Sequence, residues 1–237
     1  ELVADEKATA SYFKAQNKGV FDDPRFKFIV NDGRNYVLAT KKKYDLISIN
    51  SVDPKFSPTL YTEEFYKLCY KKLNENGQLV AWLPIYGMSL EEIQALTESF
   101  IKVFPNSNLW YNNPEHLLLL GFKGVYPFNI KTITERMNLP KVNNSLAEIH
   151  LDNVYSFLST FYCGKRMLEK FSDNAPSHSD DYPMVEFSQI PTKEMIPQVY
   201  EKLAESRESV IPYCVNFGSL GDAQSVRTKL AAFEKQA

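Results

Sequence analysis

Three short polar clusters close apolar, strand-like runs, and each holds a residue able to meet a polar ligand. Asn31-Asp32-Gly33 closes the run at 26–30, Asn50-Ser51-Val52-Asp53-Pro54 closes the run at 46–50, and Pro84-Ile85-Tyr86-Gly87 follows 79–83. In an open α/β sheet, ligands bind beyond the carboxyl ends of the strands. Carboxylates there accept hydrogen bonds from ribose hydroxyls or an adenine amine, or hold an ammonium group. Asp32 and Asp53 are therefore candidates, and Glu1 is a third if a strand precedes it. Taken singly, either aspartate is as much at home in a turn or a helix cap. Acids at successive strand ends favour a shared ligand. Tyr61 and Tyr86 lie in loops at the same ends, where a pocket wall and a core position are equally open to them.

Other chemistries find little support. No G-x-G occurs; the nearest glycine pairs, Gly121/Gly124 and Gly218/Gly221, lack a strand–turn–helix setting. The chain thus carries no dinucleotide or P-loop signature. His116, His150 and His178 are dispersed and lack metal-ligand spacing, so structural or surface roles are expected, with His178 beside the acidic Ser179-Asp180-Asp181 the most interesting. Two adjacent carboxylates supply too few oxygens for a hard cation. Asp180 and Asp181 read as a helix cap or an ionic tether, and no metal site is expected.

The elements that must position these groups follow from periodicity. Helices are expected over 4–17, 35–40, 62–73 and 90–104, and strands over 26–30, 46–50, 79–83, 108–111 and 116–122. Thr62 and Ser89 are start signals, and Asn76-Gly77 is a stop. Short apolar strands separated by helices imply crossovers and a mainly parallel sheet, with 26–30, 46–50 and 79–83 mutually parallel. Asn112-Asn113-Pro114 joins a terminal antiparallel hairpin. Beyond about 125 the pattern turns helical, over 130–137, 147–171, 194–206 and 223–234, with a linker at 209–221.

The 237 residues carry 27 basic and 29 acidic side chains, a net charge of −2, which leaves no electrostatic footprint for nucleic acid. Cys69, Cys163 and Cys214 are odd in number and far apart, against a disulfide framework or a zinc ribbon. No apolar run approaches the roughly 18 residues of a membrane span. The sequence starts at Glu1 without Met and reads as a piece of something longer.

Six segments in order, "ELVADEKATASYF", "DDPRFKFIVNDGRNYV", "YDLISINSVDP", "LYTEEFYKLCYKKLNENGQLVAWLP", "YGMSLEEIQAL" and "SDDYPMVEF", resemble the polyamine aminopropyltransferase (spermidine synthase) family over about residues 1–190. The likeness is nearest to the family's bacterial branch fused to a membrane transporter-like half. It implies an α/β fold: a methyltransferase-like Rossmann sheet, partial because its first strands are missing, with a terminal antiparallel hairpin and a helical C-terminal extension. The implied division is 1–125 for the nucleoside-binding part, 126–190 for a family-specific extension, and 191–237 for a tail. The implied reaction moves an aminopropyl group from decarboxylated S-adenosylmethionine, a co-substrate rather than a tightly bound cofactor, to a diamine such as putrescine. The implied partners are that nucleoside, the polyamine, an upstream membrane or N-terminal domain of the same protein, and a second copy; the implied location is the cytoplasm. By position, Glu1 matches the acid on the ribose hydroxyls, and Asp32 with Gly33 matches the Asp-Gly pair at the adenine. Asp53 matches the second acid of a D-x-x-D-P loop, and Tyr61 the aromatic beyond it.

Two departures accompany the likeness. Asn50 stands where the family's loop has its proton-accepting Asp, and an amide has no useful basicity. The family's glycine loop, first strand and β-stranded N-terminal domain all precede the position of Glu1, and no acid matches the diamine side in Trp82-Leu83-Pro84. Three readings therefore compete: an aminopropyltransferase domain impaired at Asn50, a non-catalytic family member used for binding or scaffolding, and an S-adenosylmethionine-dependent methyltransferase.

Overall fold

The computed structural model describes residues 1–51, 53–113, 115–125, 127–188 and 196–234. They form two units, Glu1–Lys42 and Lys43–Ala237.

The first unit has no buried residue. In place of one helix over 4–17 it has α1 (Glu6–Thr9) and a 3-10 turn at Ala10–Phe13. α1 has no side-chain cap and buries nothing, so neither of the usual supports lengthens it. A second 3-10 turn, Val20–Asp22, starts from Gly19 in the left-handed conformation. The expected strand at 26–30 does not form. That segment is extended but lacks a ladder partner, and extension without pairing is not a strand. Among the described residues Glu1 alone pairs with it: the Glu1 amino group donates to Ile29 O at 3.2 Å and Asn31 N donates to Glu1 O at 2.9 Å, one residue's worth of parallel pairing. α2 (Gly33–Ala39) then begins on Asp32, whose side chain accepts from Asn35 N at 2.7 Å.

The second unit opens with β1 (Tyr44–Ile49), followed by α3 (Glu63–Lys72). Thr62 caps α3 by accepting from Phe65 N; Glu63 and Glu64 lie at its positive end and Lys71 and Lys72 at its negative end. α3 stops at Lys72, and β2 (Leu73–Pro84) follows at once. Asn76-Gly77 is therefore not a helix stop. It is an irregularity within β2, where Asn76 takes a positive φ and a Cβ on Gly77 would lie 2.9 Å from Asn74 O. α4 (Leu90–Val103) starts from a reciprocal capping box between Ser89 and Glu92. The hairpin β3 (Asn106–Asn113) and β4 (His116–Phe122) forms as expected; residue 114 of its turn lies outside the described residues.

β5 (Phe128–Asn129), α5 (Ile130–Met137), α6 (Pro140–Ala147) and α7 (Val154–Ser159) come next. The helix expected over 147–171 is broken by β6 (Phe161–Gly164), after which α8 (Lys165–Ser172) resumes. The aromatic Phe161-Tyr162 pair favours a strand, and the outer edge of β3 offers it a partner. α9 (Ile196–Glu205), β7 (Cys214–Val215) and α10 (Ala223–Glu234) are the last of the described elements; 194–195 of the helix expected over 194–206 lie outside the described residues. The expected linker at 209–221 is structured. β7 pairs with β5 within it, and Val210 is fully buried.

The fold is mixed α/β. The sheet order is β1-β2-β4-β3-β6, with β1 and β2 parallel as expected and β4, β3 and β6 added antiparallel. Leu79, Ala81 and Leu83 of β2 and Leu117 and Leu119 of β4 are buried on one face, alternating with less buried neighbours as the pleat requires. α3 and α4 bring Phe65, Tyr66, Cys69, Ile93, Leu96 and Phe100 to the core. Gly121 of β4 admits the Phe104 ring, whose Cγ would lie 2.3 Å from an added Cβ. A second core gathers Trp110, Phe128, Phe161, Leu158 and Leu230. β1 is an edge strand, and Leu46 on it is half exposed.

Candidate functional site

In the first unit, Glu1, Asn31 and Gly33 line a pocket of about 380 Å³ whose apolar wall includes Phe21, Phe26, Phe28 and Tyr36. Phe21 and Phe26 pack with ring centres 4.7 Å apart. The Glu1 carboxylate accepts from Leu2 N at 2.8 Å and Val3 N at 3.1 Å. These amides, Val3 first and then Leu2, hold its pKa below the ordinary carboxylate value. Glu1 is thus an ionised acceptor at neutral pH. A Cβ on Gly33 would meet nothing within 4 Å, so the space before it is open. Asp32 does not line the pocket; its carboxylate caps α2. Of the three nucleoside-side candidates, the structure brings Glu1 and Gly33 to one pocket and gives Asp32 a cap.

In the second unit, Asn50 follows β1 and lines a cleft of about 510 Å³ with Ser48, Val80, Trp82, His116 and Leu118. β2 and β4 set the cleft's geometry, because their register places Trp82 opposite Leu118 and Pro84 opposite His116. Trp82 Nε1 donates to His116 Nδ1 at 3.0 Å, and the two rings stack at 5.5 Å. An indole N–H only donates, so this contact makes Nδ1 the acceptor and leaves the imidazole proton on Nε2. Tyr86 packs edge-on to His116 at 5.5 Å.

Asp53 sits in a turn of its own making. Its Oδ1 accepts from Lys55 N at 2.8 Å, and its carbonyl accepts from Phe56 N and Ser57 N. Lys55 Nζ lies 3.1 Å from Glu92 Oε1, outside hydrogen-bond alignment, while Glu92 Oε2 accepts from Ser89 N. The site loop is thereby tied to the first turn of α4. Tyr61 is 1% exposed, and its hydroxyl accepts from Ser51 Oγ at 3.4 Å. Burial pushes its pKa up to about 12, opposed by the Ser51 bond and helped by Asp53 and Tyr86. The phenol stays protonated at neutral pH. Ser51, Asp53 and Tyr86 are thus the polar groups that the buried Tyr61 phenol feels, with Ser51 the one bonded to it.

Sequence reasoning missed Ser51, the Lys55–Glu92 pair and the Trp82–His116 contact. All three depend on distant pairing, which local spacing does not report. Asp180 contributes its amide, which donates to Glu64 Oε2 at 3.0 Å. Among the described residues no cluster of three or more His, Cys, Asp or Glu is arranged for a metal, and no helix is long and apolar enough to cross a membrane.

Residues 7–118 match the family profile of the spermine/spermidine synthase domain. A polyamine aminopropyltransferase of Buchnera aphidicola is 28% identical over 170 residues, which is 69% of this chain and 58% of that protein. One from Thermotoga maritima is 33% identical over 132 residues, 54% of this chain and 40% of that protein. The crystal structure of spermidine synthase from Thermotoga maritima aligns over 84% of this chain and 56% of that one, with 22% identity and a TM-score of 0.46. These matches support the resemblance read from the sequence: residues 7–118 are similar to the spermine/spermidine synthase domain, and the chain is similar to polyamine aminopropyltransferases. It spans 58% of the length of the Buchnera relative.

Proposed function

We propose that the chain is part of a polyamine aminopropyltransferase in which Asn50 slows the transfer step. The observation that carries the reading is the pocket in the first unit, where the Glu1 carboxylate and the Gly33 backbone meet an aromatic wall suited to a nucleoside. In this reading Glu1 accepts from the ribose hydroxyls of decarboxylated S-adenosylmethionine, and Asp32 acts through the α2 N-terminus. The amine nitrogen of a diamine such as putrescine attacks the aminopropyl carbon. The C–N bond forms as the C–S bond breaks, the sulfonium leaves as the thioether methylthioadenosine, and the new ammonium sheds one proton. Asn50 cannot take that proton. Asp53 is the acid nearest in sequence, with one carboxylate oxygen given to the Lys55 amide. Tyr61 is buried within reach of its charge, which helps raise the phenol's pKa. The division of the chain at 125 and 190, the cytoplasmic location, an upstream domain and a second copy as partners belong to the same proposal.

Asn50 also favours a second reading, a non-catalytic relative that binds the nucleoside without turnover. Calorimetry with methylthioadenosine and a product assay with putrescine and decarboxylated S-adenosylmethionine separate the two. Binding with slow methylthioadenosine release supports the first reading, and binding without release supports the second. Release of S-adenosylhomocysteine from S-adenosylmethionine overturns both in favour of methyl transfer.

A further inference from the structure

His178 is fully buried, yet it sits in a loop more than a hundred residues from the turn its ring meets. Its carbonyl accepts from Glu63 N at 3.1 Å, in the first turn of α3, and from Ser99 Oγ at 2.9 Å, on α4. Its amide donates to Ala95 O, also on α4, at 3.5 Å. Its ring Nε2 lies 2.9 Å from Pro58 O. A carbonyl only accepts, so Nε2 bears the proton and Nδ1 is a bare lone pair. Nδ1 is buried without a hydrogen-bond partner. The same Pro58 oxygen accepts from Tyr61 N at 3.0 Å. One carbonyl thus joins the imidazole to the backbone of Tyr61.

We propose that His178 is the positioning residue of the Pro58–Tyr61 turn: its neutral Nε2–H imidazole holds the Pro58 carbonyl, and a proton on Nδ1 releases the turn and with it Tyr61. The bearing on catalysis rests on the reading of 50–61 as the amine-side loop; the contacts themselves do not. Asp180 and Glu186 face the ring from its own segment, and Glu64 from α3. Glu63 on α3 bonds its backbone, while Glu98 and Lys102 on α4 pair beside Ser177. The three carboxylates and the Pro58 bond favour the imidazolium, but burial outweighs them and lowers the pKa below its ordinary value. The sign follows. The undocked loop takes a proton first, so docking is at full strength above about pH 6.5 and weakens as pH falls toward the lowered value. One unit below the ordinary value, the docking equilibrium is weaker by at most about tenfold.

The test needs no substrate, so it stands or falls apart from the proposed reaction. Hydrogen exchange at the Leu60, Tyr61 and Glu63 amides is measured on the full chain at about pH 7.5 and about pH 5.5. Rates are corrected for intrinsic exchange and referenced to Leu79 and Ala81 in β2. The unmodified protein is expected to lose relative protection at the lower pH, by no more than about tenfold. His178→Gln keeps an N–H for Pro58 O without a titrating nitrogen, and is expected to show no pH-dependent loss. Equal loss in both proteins, or none in the unmodified protein, overturns the proposal. Should His178→Gln not fold, nitrogen NMR of the unmodified protein decides: an imidazole protonated on Nδ1 at neutral pH overturns it, and a bare Nδ1 that gains a proton as the three amides lose protection sustains it.

Discussion

Lys55→Met removes the charge that ties the loop after β1 to α4 while keeping most of the side chain's stem. Lys55 Nζ and Glu92 Oε1 are 3.1 Å apart, and the two side chains are 19% and 3% exposed. At an effective dielectric of about 20, the gross attraction is roughly 5 kcal/mol. Much of that offsets the cost of taking both groups out of water. Exposed pairs are worth about 0–1 kcal/mol, and breaking a fully buried pair costs about 3–5 kcal/mol. With one partner buried and the other a fifth exposed, the expected cost is about 2–3 kcal/mol, because Glu92 is left charged and unpaired. For a chain of this size that lowers Tm by about 5–10 °C. Urea unfolding at unchanged slope measures the loss. Glu92→Gln retains an acceptor for Ser89 N, so the double variant Lys55→Met/Glu92→Gln is expected to lose less than the sum, by about 1–2 kcal/mol. A cost below about 0.5 kcal/mol for Lys55→Met, or additivity within about 0.3 kcal/mol, would refute the pairing argument.

Gly121→Ala drives a methyl group into the Phe104 ring and is expected to cost about 1–3 kcal/mol, partly recovered by adding Phe104→Leu; an unchanged melting temperature counts against the packing. Tyr61 is expected to resist alkaline titration until about pH 12. Burial favours its neutral form, so stability falls as pH rises above about 10, where the unfolded phenol ionises first. The absorbance difference between the unmodified protein and Tyr61→Phe isolates this phenol, and a midpoint near the ordinary value refutes its burial. Asn50→Asp, in a protein that also carries sequence upstream of Glu1, is expected to raise putrescine-dependent methylthioadenosine release by roughly 10²–10⁴-fold with little change in nucleoside binding. Fast release with Asn50 unchanged would instead assign the proton to Asp53 or another acid.

The elements legible in the sequence are those whose signals are local. The Ser89 cap and the 3.6-residue periodicity placed α4, and 116–122 was read as β4 to the residue. The segment at 26–30 failed because alternation reports a tendency to extend, not the presence of a neighbour to pair with. β6 was hidden for the converse reason. Phe161 to Gly164 lies between two helical stretches, and only the open edge of β3 selects the strand. The candidate residues divide the same way. Asp53 was legible because an acid before Pro is a turn former wherever it sits, whereas the cleft beside Asn50 depends on a pairing of β2 with β4 across 34 residues, from Trp82 to His116. At Asn76-Gly77 it is Asn76, not Gly77, that takes the left-handed conformation; both residues tolerate it, and the sequence does not say which carries it.

The outer edge of β1 bears on how this stretch of chain, taken alone, meets copies of itself. Among the described residues β1 pairs with β2 alone, so a row of amides and carbonyls faces outward beside the exposed side chain of Leu46. Such an edge is a template for chain-to-chain association. The run Lys41-Lys42-Lys43 leads directly into it. Two edges aligned antiparallel would separate these runs, and two aligned parallel would set them side by side. Charge therefore filters the geometry of encounter before any pairing begins, and that filter fades as added salt shortens the screening length. For this stretch of chain alone, the limit on association should accordingly be a salt limit: dilute electrolyte keeps the parallel encounter closed, and concentrated electrolyte opens it.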